Sequence, residues 1–206
     1  MRRALIFGGG IYNGEFPVIF PEDFIIAADK GVEILISRGI TPNITVGDFD
    51  SSSVIPSENV IKLPVEKDIT DTHAAVDLAL DNGCDEIHIY GGMGGRPDHT
   101  FANYSLVCSL AEKGIRAQLV GEGYSITAVN GGKITLSGKK GSTLSVFSWT
   151  EECRGVTLKG VKYPLENAVL YKSFALGVSN SFIEENAEIS VSQGILLVMQ
   201  EISVDK

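Results

Sequence analysis

Two aspartates lie two residues apart in the stretch VGDFDSSS, directly after the apolar run at 44–46. The apolar run predicts a strand that ends in an acidic loop. If this loop is extended, Asp48 and Asp50 point to the same side, with Cα atoms about 6.6 Å apart. Carboxylates so placed can bind Mg²⁺, which needs only one or two of them beside waters and substrate phosphates. The alternatives are a solvated turn and the nucleophile of an aspartyl phosphatase.

A second acidic cluster, EKDITD at 66–71, precedes a helix predicted at 70–80. Asp68 and Asp71 are three residues apart, so they share a face where the turn is helical. Asp71 can complete a Mg²⁺ site, and Lys67 can neutralise phosphate. The alternative is helix capping by Thr70 or Asp71, which also places a carboxylate favourably in the helix dipole.

Two glycine-rich segments, GGGIYNG at 8–14 and GGMGG at 91–95, each follow an apolar run. Glycines let the backbone approach a phosphate and direct its N–H groups at it. The first segment matches neither GxGxxG nor the P-loop, so an ordinary turn stays open. The second continues into Arg96, which suits bidentate phosphate contacts, and into Asp98, His99 and Asn103. Asn103 lies four residues beyond His99, on the same face of a helix.

Asp29 and Lys30 in AADKG follow another apolar run and precede a helix predicted at 31–37. An aspartate in this position is either an N-cap or a ligand-binding residue.

The first part of the chain alternates predicted strands with predicted helices. Strands are expected at 4–7, 24–28, 44–46, 60–63, 87–90 and 117–120, and helices at 31–37, 70–80 and 101–112. This alternation predicts an α/β fold with a mostly parallel, Rossmann-like sheet and helices on both faces. Ligands of such sheets bind outside the carboxyl ends of the strands, where these clusters fall.

The pattern changes after residue 121. Short strands are predicted at 125–132, 133–141, 142–149, 156–160, 187–194 and 195–202, separated by glycine turns. This spacing predicts an all-β antiparallel sandwich or barrel. We therefore expect two domains, 1–122 and 123–206.

The composition of the chain argues against several classes of function. The net charge of −9 argues against binding to nucleic acid, which depends on Lys and Arg neutralising phosphates. The three cysteines form no CxxC pair, so we expect small buried thiols in a reducing compartment. Neither a signal peptide nor an apolar run of membrane-spanning length is expected, which favours a cytoplasmic protein without membrane contact.

In this order the segments resemble thiamin pyrophosphokinase, through AADKG, GDFDS, EKDITDTHAAV, GGMGGRPDH with Asn103, and GVSN at 177–180. The resemblance implies Mg²⁺-dependent transfer of a pyrophosphoryl group from ATP to thiamin, giving thiamin diphosphate and AMP. It also implies a homodimer with active sites between subunits, in which the β domain holds thiamin.

The resemblance also implies roles for individual residues. Asp48, Asp50 and Asp71 would bind Mg²⁺. The catalytic set would be Asp71, Asp98, Lys67 and Arg96, with Asp98 or Asp71 accepting the hydroxyl proton. The nucleotide and phosphates would contact Gly9, Asp29, Lys30, Asp68, Gly92, Gly94, Gly95, Arg96, His99 and Asn103. Thiamin would contact Asp98, Ser179 and Asn180.

Two other interpretations stay open. One is an aspartyl-nucleophile phosphohydrolase in which Asp48 attacks phosphorus. The other is a non-catalytic nucleotide-binding or thiamin-binding module. Neither the glycine-rich loop at 91–95 nor a β domain is required by the phosphohydrolase, and a sensor needs no complete carboxylate set.

Overall fold

The computed structural model describes residues 2–12, 16–49, 59–66 and 68–202. Two predicted site residues, Asp50 and Lys67, lie outside the described residues. The chain divides into two compact units. One comprises Met1–Leu106 with Ala117–Glu122, and the other comprises Val107–Arg116 with Gly123–Lys206.

The first unit is built on a sheet of six strands. They are β1 (Arg3–Phe7), β2 (Phe24–Ala28), β3 (Ile44–Gly47), β4 (Val60–Lys62), β5 (Glu86–Tyr90) and β6 (Arg116–Gly121). Their order across the sheet is β6-β5-β1-β2-β3-β4. β1 pairs in parallel with β2 and β5, and β3 pairs in parallel with β2 and β4. The carboxyl ends of these strands therefore meet at one edge of the sheet.

The described residues form three helices: α1 (Gly31–Ser37), α2 (Asp71–Asp81) and α3 (Pro97–Glu112), of which α3 passes into the second unit at Val107. α1 and α2 pack against the central strands, and every residue of β2 is buried. α3 begins at Pro97, four residues before the predicted start, because proline is favoured in the first turn of a helix. Asp98 and His99 consequently lie in the first turn of α3.

The second unit contains six further strands. They are β7 (Tyr124–Ser137), β8 (Thr143–Ser148), β9 (Glu152–Lys159), β10 (Leu165–Tyr171), β11 (Asn180–Ser181) and β12 (Asn186–Glu201). Their pairings are antiparallel, and they enclose a core that includes Leu144, Leu158, Phe182, Ile189 and Leu196.

The prediction of chain-reversing turns at 131–132 and at 194 is wrong. Gly131 and Gly132 lie inside the long strand β7, and Gly194 lies inside β12. All three have positive φ, and the pairing of β12 with β7 shifts register between Val191 and Ile195. Glycine accommodates such a β-bulge without ending the strand. On the edge that does not face β7, β12 pairs with β9 before the bulge and with β8 after it.

The three cysteines are buried, as expected from the sequence. Cys84, Cys108 and Cys153 are buried free thiols. Within the described part of the chain, no helix combines the length and apolar character needed to span a membrane.

Candidate active site

A cavity of about 390 Å³ opens in the first unit, at the carboxyl ends of β1, β2 and β5. The first turns of α2 and α3 complete its wall. This volume lies in the range of small-molecule sites. The lining residues are Gly9, Gly10, Ile11, Ala28, Asp29, Lys30, Thr70, Asp71, Thr72, Gly91, Gly92, Gly94, Gly95, Arg96, His99 and Asn103.

The fold brings most of the predicted nucleotide residues together in this cavity. Its lining contains Gly9, Asp29, Lys30, Asp71, Gly92, Gly94, Gly95, Arg96, His99 and Asn103, from four separate stretches of the sequence. Asp48, Asp68 and Asp98 do not line it. Ser179 and Asn180 belong to the second unit.

Asp29 lies directly after β2 in a left-handed backbone conformation, with φ of 49°. It is not an N-cap, since α1 is preceded by Lys30 and has no side-chain cap. The Asp29 N–H donates to the Val46 carbonyl, 2.8 Å away. A Cβ on Gly47 would lie 3.0 Å from the Asp29 Cα. Tertiary contacts thus hold a non-glycine residue in a conformation that costs of order 1 kcal/mol, a pattern common at functional sites.

Asp71 is the first residue of α2, and it is not the cap of that helix. Thr70 caps α2, because its hydroxyl accepts from the His73 N–H at 3.1 Å. The Asp71 carboxylate is therefore not required for capping. Asp71 lines the cavity together with Thr70 and Thr72.

Asp48 follows β3, whose last residue Gly47 packs against Asp29. Phe49, between the two predicted metal-binding aspartates, is buried and has φ of 59°. Among the described non-glycine residues with positive φ, Asp29, Phe49 and Ser179 all fall in predicted site segments. Asp68 is exposed to solvent.

Hydrogen bonds between their backbones join the two glycine-rich segments. The Gly8 N–H donates to the Tyr90 carbonyl and the Gly10 N–H donates to the Gly91 carbonyl, each at 2.8 Å. A Cβ on Gly10 would overlap the Gly91 carbonyl oxygen. This close approach explains why a glycine is needed at position 10.

Two side chains fasten these segments further. Tyr12 donates its hydroxyl to the Gly8 carbonyl at 2.8 Å, with the Tyr90 carbonyl at 3.2 Å. Asn103 is 4% exposed, and its Nδ2 donates to the Gly92 carbonyl at 2.7 Å. No role for Tyr12 was predicted from the sequence. The only signal was an aromatic residue inside the glycine-rich segment GGGIYNG.

Arg96 and Asp98 form an exposed bidentate ion pair. Arg96 Nη2 lies 2.6 Å from Asp98 Oδ2, and Arg96 Nε lies 3.2 Å from Asp98 Oδ1. The hydrogen bonds from Arg96 lower the pKa of Asp98. The same pairing raises the pKa of Arg96, which stays a cation at the cavity wall.

The donor set of the cavity suits a hard cation beside an anion. Asp29 and Asp71 supply carboxylate oxygens, which Mg²⁺ prefers, while Lys30 and Arg96 supply positive charge. Residues 2–12, 16–49, 59–66 and 68–202 contain no cluster of three or more acidic, His or Cys side chains arranged for a metal. Two protein carboxylates with waters and substrate phosphates are enough for Mg²⁺.

Comparisons with known proteins give the family. Residues 18–119 match the model for the thiamin pyrophosphokinase catalytic domain, and residues 133–196 match the thiamin pyrophosphokinase vitamin B1 binding domain. The chain is 31% identical to a thiamine pyrophosphokinase from Bacillus subtilis over 183 residues, covering 85% of this chain and 86% of that protein. The chain belongs to the thiamin pyrophosphokinase family.

Solved structures of this family share the fold. A thiamine pyrophosphokinase from Bacillus subtilis is 28% identical with a TM-score of 0.88, covering 98% of this chain and 99% of the other. A thiamin pyrophosphokinase from Geobacillus thermodenitrificans is 28% identical with a TM-score of 0.83, covering 98% of each chain. The chain is thus an enzyme of the thiamin pyrophosphokinase type.

The segment that matches the family's vitamin B1 binding domain includes Ser179 and Asn180. Ser179 is exposed, has φ of 59°, and donates its N–H to the Ser145 hydroxyl at 3.1 Å. Asn180 is buried, and its side-chain amide donates to the Tyr163 carbonyl and accepts from the Tyr163 N–H. Asn180 therefore fixes the chain at Tyr163.

A second cavity, of about 260 Å³, adjoins this segment. It is lined by Leu158, Tyr163, Leu165, Leu176, Gly177, Val178 and Asn180. The lining is mostly apolar. It suits an organic ring system more than a polyphosphate.

Proposed function

We propose that the chain transfers a pyrophosphoryl group from ATP to the hydroxyethyl group of thiamin, giving thiamin diphosphate and AMP. The observation that supports this most directly is the cavity of the first unit. Its lining combines glycine-rich backbone, the carboxylates Asp29 and Asp71, and the cations Lys30 and Arg96. Backbone N–H groups and cations suit a triphosphate, and the carboxylates suit its metal ion.

In the proposed step the thiamin hydroxyl oxygen attacks the β-phosphorus of ATP. A new oxygen–phosphorus bond forms, the bond from the β-phosphorus to the oxygen of the α-phosphate breaks, and AMP leaves. Catalysis of this kind of transfer rests on positioning and charge neutralisation, since the transition state is loose. Arg96 and Lys30 would stabilise the negative charge on the phosphate oxygens, and Lys67 is proposed to assist them.

We propose that Asp71 accepts the hydroxyl proton through the carboxylate oxygen that would not bind Mg²⁺. Asp71 lines the cavity, whereas Asp98 is held in a bidentate ion pair with Arg96. That ion pair lowers the pKa of Asp98, which makes it a weaker base. Asp98 is instead proposed to orient Arg96 toward the phosphates.

Mg²⁺ is proposed to bind Asp48, Asp50 and Asp71, and when bound it neutralises the triphosphate and orients it. Gly9, Asp29, Asp68, Gly92, Gly94, Gly95, His99 and Asn103 are the remaining proposed nucleotide contacts. Asp29, half-buried beside Gly47 at the end of β3, lies next in the fold to the loop that carries Asp48.

We also propose different roles for the two units. Residues 1–122 would form a Rossmann-like nucleotide-binding and Mg²⁺-binding domain with helices on both faces. Residues 123–206 would form an antiparallel sandwich or barrel that binds thiamin, through Ser179 and Asn180 together with Asp98, and mediates dimerisation. The apolar cavity beside Asn180 supports this assignment of thiamin.

We propose a cytoplasmic homodimer with active sites between subunits. Its support is a set of exposed apolar side chains, here called the 163–183 patch, in the second unit. The patch comprises Tyr163, Tyr171, Phe174, Leu176, Val178 and Ile183. Several apolar side chains exposed within one stretch of the chain favour an interface with a second subunit.

The test is incubation of the purified protein with ATP, Mg²⁺ and thiamin, followed by analysis of the products. We expect AMP and thiamin diphosphate in equal amounts, with no turnover when thiamin is omitted. ADP as the main nucleotide product, or phosphate release that does not depend on thiamin, would favour the phosphohydrolase. Thiamin binding without any product would favour a non-catalytic module.

A further inference from the structure

The carbonyl oxygens of the two glycine-rich segments matter as much as their N–H groups, because a carbonyl oxygen repels an anion. The segments line the cavity through Gly9, Gly10, Gly91 and Gly92. Peptides between glycines rotate easily, since glycine adopts both signs of φ at low cost. A rotated peptide would replace an N–H by a carbonyl oxygen on the cavity wall.

In the first segment, Tyr12 supplies a donor to the carbonyl of the Gly8–Gly9 peptide. Its hydroxyl lies 2.8 Å from the Gly8 oxygen and 3.2 Å from the Tyr90 oxygen. Burial raises the pKa of Tyr12, so the hydroxyl keeps its proton at neutral pH. The ring also covers Gly91, where a Cβ would lie 2.5 Å from the Tyr12 hydroxyl oxygen. Tyr12 is not among the residues that line the cavity.

In the second segment, donors also hold the two carbonyls that follow Tyr90. The Gly91 oxygen accepts from the Gly10 N–H at 2.8 Å. The Gly92 oxygen accepts from Asn103 Nδ2 at 2.7 Å. A Cβ on Gly92 would lie 3.0 Å from this nitrogen, so the amide packs directly against the Gly92 peptide.

We propose that Tyr12 and Asn103 are positioning residues that keep the Gly8 and Gly92 carbonyl oxygens turned away from the bound triphosphate. The proposal rests on the proposed function, in that it takes the ligand of this cavity to be a polyphosphate. Tyr12 acts only through the backbone. Its loss should therefore weaken binding of the polyphosphate and leave binding of thiamin unchanged.

The decisive variant is Tyr12→Phe, which keeps the ring and removes the donor. We expect the KM for ATP and the dissociation constant of inorganic tripolyphosphate with Mg²⁺ to rise about tenfold each, the effect expected when a buried carbonyl loses its hydrogen bond. The KM for thiamin should stay within about twofold, since the change concerns the phosphate loops only. Asn103→Leu should weaken ATP binding as well, but Asn103 also lines the cavity as a proposed nucleotide contact, so Tyr12→Phe decides the positioning role.

Tyr104→Phe is the matched control. Its hydroxyl contacts only the Met93 sulfur, at 3.9 Å, among the described residues, and its removal frees no carbonyl. We expect this variant to keep the wild-type constants. Melting temperatures of all variants would establish that they are folded.

Three results would overturn the positioning role: unchanged constants for ATP and tripolyphosphate in Tyr12→Phe, an equal rise in the KM for thiamin, or the same losses in Tyr104→Phe. Absence of tripolyphosphate binding by the wild type would also overturn it. Calorimetric binding needs no turnover. It therefore tests the positioning role separately from the proposed reaction, which the AMP assay tests.

Discussion

Asp29 and Asp71 lie at the end of a strand and at the start of a helix, positions where an aspartate commonly caps a helix. Thr70 caps α2 in place of Asp71, and α1 has no side-chain cap from Asp29. Both carboxylates line the cavity, and Asp29 keeps a left-handed conformation that glycine would adopt more easily. A side chain retained against backbone preference argues for a role in binding or chemistry.

The first prediction concerns Asp71→Asn and Asp48→Asn. Each should lower the rate of AMP formation by about 10²–10³-fold, as removal of a preorganised electrostatic contact does, while the melting temperature changes little. Asp77→Asn is the matched control, because Asp77 is an exposed residue of the same helix. It should leave the rate unchanged. Near-normal rates in both Asp71→Asn and Asp48→Asn would remove the metal-site hypothesis.

A glycine at the start of α1 lets this helix approach the sheet closely. Gly31, the first residue of α1, packs directly on β1, and a Cβ there would overlap the Phe7 carbonyl oxygen. Gly47 makes a similar contact with Asp29. Gly31 thus lets α1 approach β1 closely, and Gly47 lets β3 approach Asp29 closely.

The second prediction is that Gly31→Ala destabilises the fold. Alanine favours a helix by about 1 kcal/mol over glycine, but overlap with backbone that cannot move costs more, so we expect a net loss of about 2 kcal/mol in the free energy of unfolding. Urea denaturation measures it. The comparison is Gly121→Ala in β6, where a Cβ would meet only the Met93 side chain at 3.4 Å. That change should stay within about 0.5 kcal/mol. Equal losses for both variants would contradict the packing argument.

For the molecule as a whole, we expect stability to depend on pH through His88, a half-buried histidine of the first unit. His88 on β5 is 16% exposed and lies 2.9 Å from a Glu86 carboxylate oxygen. Arg3 on β1 forms an ion pair with the buried Asp23 at 2.6 Å. Burial lowers the pKa of His88; the hydrogen bond to Glu86 opposes this, and the nearby Arg3 adds to it. The net pKa of His88 lies below its ordinary value of 6.5.

The third prediction follows from that direction. Below pH 6.5 the unfolded chain binds the His88 proton before the folded chain does, so stability falls as the pH drops from 6.5 toward the lowered pKa. Urea unfolding at about pH 7.5 and about pH 5.5 measures the fall. The fall in stability should be smaller in His88→Gln. It should be the same as in the wild type in His73→Gln, which replaces the more exposed histidine of α2. An unchanged fall in His88→Gln would show that other groups cause it.

The fourth prediction concerns the assembly. Sedimentation should give twice the chain mass of 22.0 kDa, because the 163–183 patch exposes apolar side chains that a partner subunit would cover. Phe174→Asp combined with Leu176→Asp should shift the protein to monomers and lower activity. Val18→Asp, at an equally exposed apolar residue of the first unit, is the control and should stay dimeric. A wild-type monomer would refute the homodimer.

The sequence by itself determined the element order of the first unit and the change to antiparallel strands in the second, because hydrophobic periodicity is a local property. It did not predict β10 or β11, and it divided β7 and β12 at their glycines. It also located Asp29, Asp71, Arg96 and Asn103 near one site, since ligands bind at the carboxyl ends of parallel strands. The family resemblance came from short motifs spread along the chain. The family matches confirm it.

Only the tertiary structure decided how those residues are held. Whether Gly194 ends a strand or forms a bulge depends on the partners of β12, which are distant in sequence. The bond from Tyr12 to Gly8 and Tyr90, and that from Asn103 to Gly92, require atoms to meet in space across β1, β5 and α3. The conformation of Asp29 is imposed by β3. Such contacts join residues that are distant in sequence and meet only in the folded chain, so no local sequence pattern predicts them.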